Sequence, residues 1–235
     1  MADESLRKML YSKLGAALGL VVVLVLVVRF ADKGLPTTGE TGPSPAPSVV
    51  IDPGHGGYDG GAVWADVIEK TINLDISLHL REILLAAGYR VAMTRYGDYS
   101  LIEQAQTKKR EDMIRRLGVI EQHDPDFFIC IHCNAMVSTR WSGGQAFCQH
   151  ESEQGLELAK DIQHYLRALT DTTRQASSLD HFLLRESRPV GCLIEAGFLS
   201  NQGERELLKT TGHQRRIAVA AWLGLGKYVI DGHGQ

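Results

Sequence analysis

The chain has 235 residues, 44% hydrophobic and 23% charged, which excludes collagen-like, disordered and coiled-coil classes. A formal net charge of −3 leaves no basic footprint, so nucleic acid is not an expected partner. Four cysteines in this length are too few to build a disulfide scaffold.

Leu14 to Val28 carries no charge and no polar side chain, between Lys13 and Arg29. As a helix this run rises about 22 Å, against a hydrocarbon core about 30 Å thick. Lys13 and Arg29 can snorkel, and Met9, Leu10 and Phe30 lengthen the apolar stretch. Residues 1–31 read as a cytoplasmic tip and a segment between a signal-peptide core and a short membrane anchor, and the lack of a small-x-small cleavage site after it favours the uncleaved anchor. Either way the remainder is expected to be exported. Pro36, Pro43, Pro45 and Pro47 then make residues 32–48 an extended tether. A catalytic domain is expected over 49–230, with a tail at 231–235.

Within that domain short apolar runs alternate with helix-period segments, the mark of an α/β layer fold. Val49-Val50-Ile51 predicts a strand stopped by Asp52-Pro53-Gly54. Ile72, Ile76, Leu80, Ile83 and Ala87 predict a helix ending at Gly88. Tyr89–Thr94 reads as strand, and Leu101–Glu121 as an amphipathic helix. Asp126–Ile131 is a second buried strand, Gln145–Cys148 an edge strand, and Glu151–Leu169 a helix. Cys192-Leu193-Ile194 is a third buried strand, and a closing helix runs from near Gly212 through Leu225. The expected sheet is mixed and mostly parallel, with helices on both faces.

Three polar residues stand where apolar strands end: His55, His132 and Glu195. The carboxyl ends of parallel strands share one edge, where sites form. Glu69, opening the first long helix, faces the same edge. Two imidazoles and two carboxylates suit a catalytic zinc site, with three ligands, an open position and one carboxylate left to move a proton. Glycines at 54, 56 and 57 are read as allowing the tight loop that brings His55 in. Cys130-x-x-Cys133 lacks a second ligand pair and reads as small-hydrophobe packing, although Cys133 adjoins a candidate ligand. No Gly-x-Ser-x-Gly elbow, Walker loop or HExxH is present. His150, His164, His181 and His213 read as surface or packing residues.

Asp52-Pro53-Gly54-His55-Gly56-Gly57, Glu69-Lys70 with Asn73-Leu74, Ile131-His132-Cys133-Asn134-Ala135 and Glu195-Ala196-Gly197-Phe198-Leu199-Ser200-Asn201 resemble zinc-dependent N-acetylmuramoyl-L-alanine amidases of the third amidase type. Thr94-Arg95 and the helix carrying Arg116 fit the same pattern. The resemblance spans 49–230 and implies a sheet of about six strands. It implies one Zn²⁺ per chain on His55, Glu69 and His132, with Glu195 as catalytic glutamate. Asp52, Asn73, Arg116 and Asn134 become candidate supporting or substrate contacts. The substrate implied is peptidoglycan, cut at the amide between muramic acid and L-alanine.

Arg140-Trp141-Ser142-Gly143-Gly144-Gln145-Ala146-Phe147, Asp171-Thr172-Thr173-Arg174 and Phe182-Leu183-Leu184-Arg185 resemble the germination-specific spore-cortex amidases. That subgroup implies a first step towards muramic δ-lactam, with a deacetylase following. About 62 residues separate His132 from Glu195, without the long inserted helix of division amidases. A chain lacking a wall-binding repeat is expected to need an auxiliary sporulation protein on its substrate. Lys108-Lys109-Arg110 and Arg115-Arg116 read as a solvated helix face, or as an attraction for anionic wall polymer. Two other functions fit the residues: a zinc peptidase cutting elsewhere in the stem, and a non-catalytic wall-binding protein of the same fold.

Overall fold

A computed structural model describes residues 46–102 and 109–232. The apolar run at 14–28, most of the Pro-rich tether and Lys108 lie outside the described residues. No helix among the described residues is long and apolar enough to cross a membrane.

Six strands form one sheet: β1 (Ser48–Pro53), β4 (Arg90–Met93), β5 (Phe127–Asn134), β6 (Gln145–Cys148), β7 (Ser177–Ser178) and β8 (Val190–Phe198). Their order is β4-β1-β5-β8-β6-β7. All neighbours are parallel except β6 against β8. The strand expected at the edge, β6, is therefore one position in. The two serines of β7 cover it, and a two-residue polar strand has no apolar period to announce it. A small hairpin, β2 (Val63–Trp64) with β3 (Val67–Ile68), stands apart from the sheet.

Alternate residues of the central strands enter two cores, as a period of two requires. Val49, Ile51, Ile129, Ile131 and Ile194 meet Ile76 and Leu80 of α1 (Glu69–Ala86), Ile162 of α3 (Glu153–Thr170), and Ile217 and Leu225 of α6 (Thr211–Ile230). Val50, Phe128, Cys130 and Leu193 meet Ile120 of α2 (Lys109–His123) and Leu183 and Leu184 of α4 (Phe182–Glu186). Helices thus cover both faces. Described α2 begins at Lys109, and the part of the expected helix at 103–108 lies outside the described residues. Helices α4 and α5 (Gln202–Leu208) were not anticipated, being five and seven residues long and too short for a hydrophobic period. Asn201 still marked α5, because its Oδ1 accepts the Glu204 N–H at 3.2 Å.

The first helix starts without a side-chain cap. Its leading amides are instead satisfied by the preceding loop, Glu69 N–H to Ala62 O at 2.9 Å and Lys70 N–H to Gly60 O at 3.1 Å. The Glu69 carboxylate returns the bond, with Oε2 accepting Ala62 N–H at 2.8 Å. This reciprocal pair fixes Glu69 at the sheet edge where β1, β5 and β8 end.

Candidate active site

His55, Glu69 and His132 each present one ligand atom, and these atoms all lie within 4.8 Å of one another. His55 Nε2 is 3.2 Å and His132 Nδ1 3.1 Å from the same oxygen, Glu69 Oε1. The imidazoles meet edge-on, with ring centroids 5.0 Å apart. Asn73 Nδ2 and the Cys133 backbone N–H both donate to Glu69 Oε1, each at 3.1 Å. Burial by itself would raise the Glu69 carboxyl, but the bonds from His132 and His55 hold it far below the usual carboxylate range. For His55, burial pulls down while bonds to Glu69 and Asp59 carry the ring above its ordinary value.

The cluster is legible in the fold. His55 follows β1, His132 lies in β5, and His132 pairs in register with Glu195 of β8. In-register neighbours on parallel strands sit about 4.8 Å apart with side chains on one face. A register shift between His132 and Asn134 then bends the pair open. Glu195 Oε2 is buried and has no hydrogen-bond partner. Burial pushes its carboxyl up to about 7, against the pull of His132.

Two imidazole nitrogens and a carboxylate oxygen meeting at one point, beside an orphaned carboxylate, fit a divalent cation of the zinc type. The four principal residues expected from sequence are therefore brought together. The supporting residues divide. Asn73 bridges Glu69 and the Gly54 carbonyl, at 3.1 and 3.2 Å. Arg116 is 1% exposed, so it serves the loop and is not placed to touch substrate. Its Nη1 donates to Asp52 Oδ1 and to Pro53 O, each at 2.8 Å, and Nη2 donates to the His55 carbonyl at 2.5 Å. Asp52 reaches the His55 loop through Arg116, not by touching the imidazole. Asn134 contributes its carbonyl, which accepts Leu199 N–H at 2.8 Å.

Sequence reasoning missed Asp59 and His181, and it noted Arg95 only within a matching pattern, without a role. Asp59 Oδ2 lies 2.9 Å from His55 Nδ1 and fixes that ring, the task carboxylates perform behind metal-bound histidines. Its four-residue spacing from His55 was the available signal. Arg95 is fully buried and holds the carbonyls of Pro53, Gly54 and Lys70 at 2.8–3.0 Å. His181, expected on the surface or in packing, stands edge-on to His132 at 5.6 Å between centroids. Burial, with the charge of His132, pushes His181 down to about 4, and its Nδ1 has no partner.

The glycine argument holds for Gly56 and Gly57, at φ 138° and 57°, and changes for Gly54. Gly54 does not adopt a left-handed conformation, whereas His55 itself does, at φ 62°. A Cβ on Gly54 would stand 2.3 Å from His132 Cε1, so this glycine makes room for the ligand ring. All four cysteines are free and buried, and burial raises the Cys133 thiol well above its ordinary value. Cys133 serves Glu69 only through its backbone amide.

Residues 49–227 match the N-acetylmuramoyl-L-alanine amidase family. The chain is 35% identical over 189 residues to the germination-specific N-acetylmuramoyl-L-alanine amidase of Bacillus subtilis, covering 78% of this chain and 80% of that protein. Its fold is similar to that of the CwlD amidase of Clostridioides difficile, solved in complex with the GerS lipoprotein, with a TM-score of 0.76 and 34% identity over 79% of this chain and 99% of that one. The catalytic domain of CwlV from Paenibacillus polymyxa gives a TM-score of 0.70 at 29% identity, over 78% and 98% of the two chains. With this match following on the assembled His-Glu-His pocket, the chain belongs to the N-acetylmuramoyl-L-alanine amidase family.

Proposed function

We propose that this amidase is zinc-dependent and acts on spore-cortex peptidoglycan, as the first step towards muramic δ-lactam. The observation that carries the chemistry is the convergence of His55, Glu69 and His132 within 4.8 Å, beside a Glu195 oxygen that is buried without a partner. Those three residues would hold one Zn²⁺. Bound there, the ion would supply Lewis-acid chemistry, polarising the lactyl amide carbonyl and making water more acidic.

Glu195 supplies the proton transfers. A carboxyl brought near neutrality by burial can take the proton of the attacking water and return it to the departing alanine nitrogen. Its free Oε2 is the atom that does so. Asp59 and Asn73 keep His55 and Glu69 aimed, while Arg95 and Arg116 lock the loop between β1 and His55. The cortex assignment draws support from similarity to the germination-specific amidase, and an auxiliary partner from the relative solved with a lipoprotein. Export, with the segment at 1–31 as signal or anchor, follows from a wall substrate.

The test is digestion of purified cortex wall by the zinc-loaded protein, read by mass analysis. Free lactyl groups on muramic acid, with matching new alanine amino termini, are expected. Cleavage elsewhere in the stem would replace this reading with the peptidase one, and zinc retention without any cleavage would favour a wall-binding protein. Turnover by the isolated chain as fast as in spore extract would remove the auxiliary partner.

A further inference from the structure

Away from the metal ligands lies an open cavity of about 440 Å³. Its walls include Trp64, Thr139, Asn201, Gln202 and Arg205. They come from the continuations of the active-site segments. Trp64 belongs to the hairpin that runs into Glu69, Thr139 follows the His132 strand, and Asn201 to Arg205 follow the Glu195 strand. The cavity therefore shares the catalytic edge of the sheet.

Its shape is fixed. Asn201 Nδ2 donates to Thr139 O at 3.0 Å, and Lys209 pairs with Asp66 at 3.1 Å, tying the hairpin turn to the end of α5. Arg205 is the residue left over. Its Nη1 donates to Leu199 O at 2.8 Å, but Nε is buried without a partner. No carboxylate forms an ion pair with it among the described residues, and Asp66, whose charge reaches it, is taken by Lys209. Nε itself is sealed from the cavity, so what a ligand can meet is the outer part of the half-buried guanidinium, a charge with no carboxylate on it. The acceptor that best matches the guanidinium fork is a carboxylate.

From this we infer that the cavity holds the stem peptide on the leaving-group side of the scissile amide, with Arg205 receiving a stem carboxylate. This deepens the amidase reading and rests on it. The glycan side offers no carboxylate before cleavage, because its lactyl acid is bound in the amide. A stem joined through the side chain of its second residue carries a free α-carboxylate one residue beyond the alanine. The Trp64 indole supplies a flat apolar wall for the peptide beside it.

Full-length zinc-loaded protein is given N-acetylmuramoyl-L-alanyl-D-isoglutamate with its γ-carboxyl capped as the methylamide and, separately, the equally capped isoglutamine form, in which the α-carboxylate is an amide. Wild type is expected to prefer the free acid by about tenfold in kcat/KM. Arg205→Gln should flatten the preference by raising KM for the acid, and Arg205→Lys should keep part of it. Equal use of both substrates by wild type, or a preference that survives Arg205→Gln, overturns the inference. Independently of turnover, L-alanyl-D-isoglutamate γ-methylamide should shift the Trp64 indole N–H resonance, one of three tryptophans in the chain, while the isoglutamine γ-methylamide dipeptide leaves it in place. If neither substrate is cut but Trp64 responds, the amidase reading fails and the carboxylate site stands. If cutting proceeds and Trp64 is silent, the site fails alone. Should Arg205→Gln not fold, the wild-type preference and the indole shift decide.

Discussion

The sharpest test of the metal pocket is Gly54→Ala, a single methyl placed against a ligand. The new Cβ would lie 2.3, 2.4 and 2.7 Å from Cε1, Nε2 and Nδ1 of His132. Unbonded atoms settle at about 3.5–4.0 Å, so the ring must retreat by about 1 Å or more. The backbone cannot yield in its place. Gly54 N–H is bonded to Ile131 O at 2.9 Å, and the Gly54 carbonyl accepts from Asn73 and Arg95 at 3.2 and 3.0 Å. Zinc–nitrogen distances tolerate only about 0.2 Å, so a ring displaced this far leaves the coordination sphere. Overpacking should cost about 1–3 kcal/mol of stability, which the core can absorb. The expected outcome is a folded protein with zinc affinity reduced more than about 100-fold and activity lost with it. Competition titration against a chelator, thermal unfolding and amide hydrolysis together read this out. Gly226→Ala is the control, since its Cβ meets nothing within 4 Å, and it should be neutral or slightly stabilising. A Gly54→Ala protein with wild-type zinc affinity and turnover would refute the placement of His132.

Glu195→Gln should keep its zinc and lose about 10²–10⁴ in kcat, measured by metal content and single-turnover hydrolysis. Asp59→Asn removes the anion behind His55 and should weaken zinc binding by about 10–100-fold without unfolding the protein, as chelator competition would report. Arg116→Met strands the buried carboxylates of Asp52 and Asp112 and should destabilise by about 3–5 kcal/mol in denaturant unfolding. Asp52 is held below its ordinary value by Arg116 and Thr94, against the upward push of burial. That stabilisation is present above the unfolded carboxylate range and should fade as pH falls through the lower folded value. For activity the base form of Glu195 is required, so kcat/KM should rise with pH on its acidic side. The midpoint should lie at or below about 7, because a bound cation draws the carboxyl down from its metal-free position. A flat profile there, or one unchanged by Glu195→Gln, would remove Glu195 from proton transfer.

What could be read from the residues follows from how each signal is carried. His55, His132 and Glu195 interrupt apolar strand ends, and parallel strands bring such ends to one edge, so the cluster was visible without coordinates. The long helices announced themselves through Ile76 and Leu80, and through Ile217 and Leu225, because each buries a stripe. Asp59 and Arg95 gave no such signal. Their importance lies in which carbonyl or imidazole they meet, and the loop that decides this contains His55 in a left-handed conformation. His181 was discounted because proximity to His132 is made by α4, a five-residue helix with no period to detect.

The buried arginines show why the fold and the site cannot be separated in this chain. Arg95 and Arg116 together collect the carbonyls of Pro53, Gly54 and His55, the three residues that carry the chain from β1 into the metal pocket. A loop with that many inward carbonyls would be unsatisfied if it were merely packed against apolar neighbours. Two guanidiniums, with ten N–H donors between them, can satisfy it in a fixed geometry, and Asp52 and Asp112 neutralise one of them. The loop is thereby rigid before any cation arrives. Preorganisation of this kind predicts that zinc removal lowers the melting temperature while leaving the sheet and both cores intact. Far-ultraviolet circular dichroism that collapses on chelation would instead mean that the ion, not the arginines, holds His55 in place.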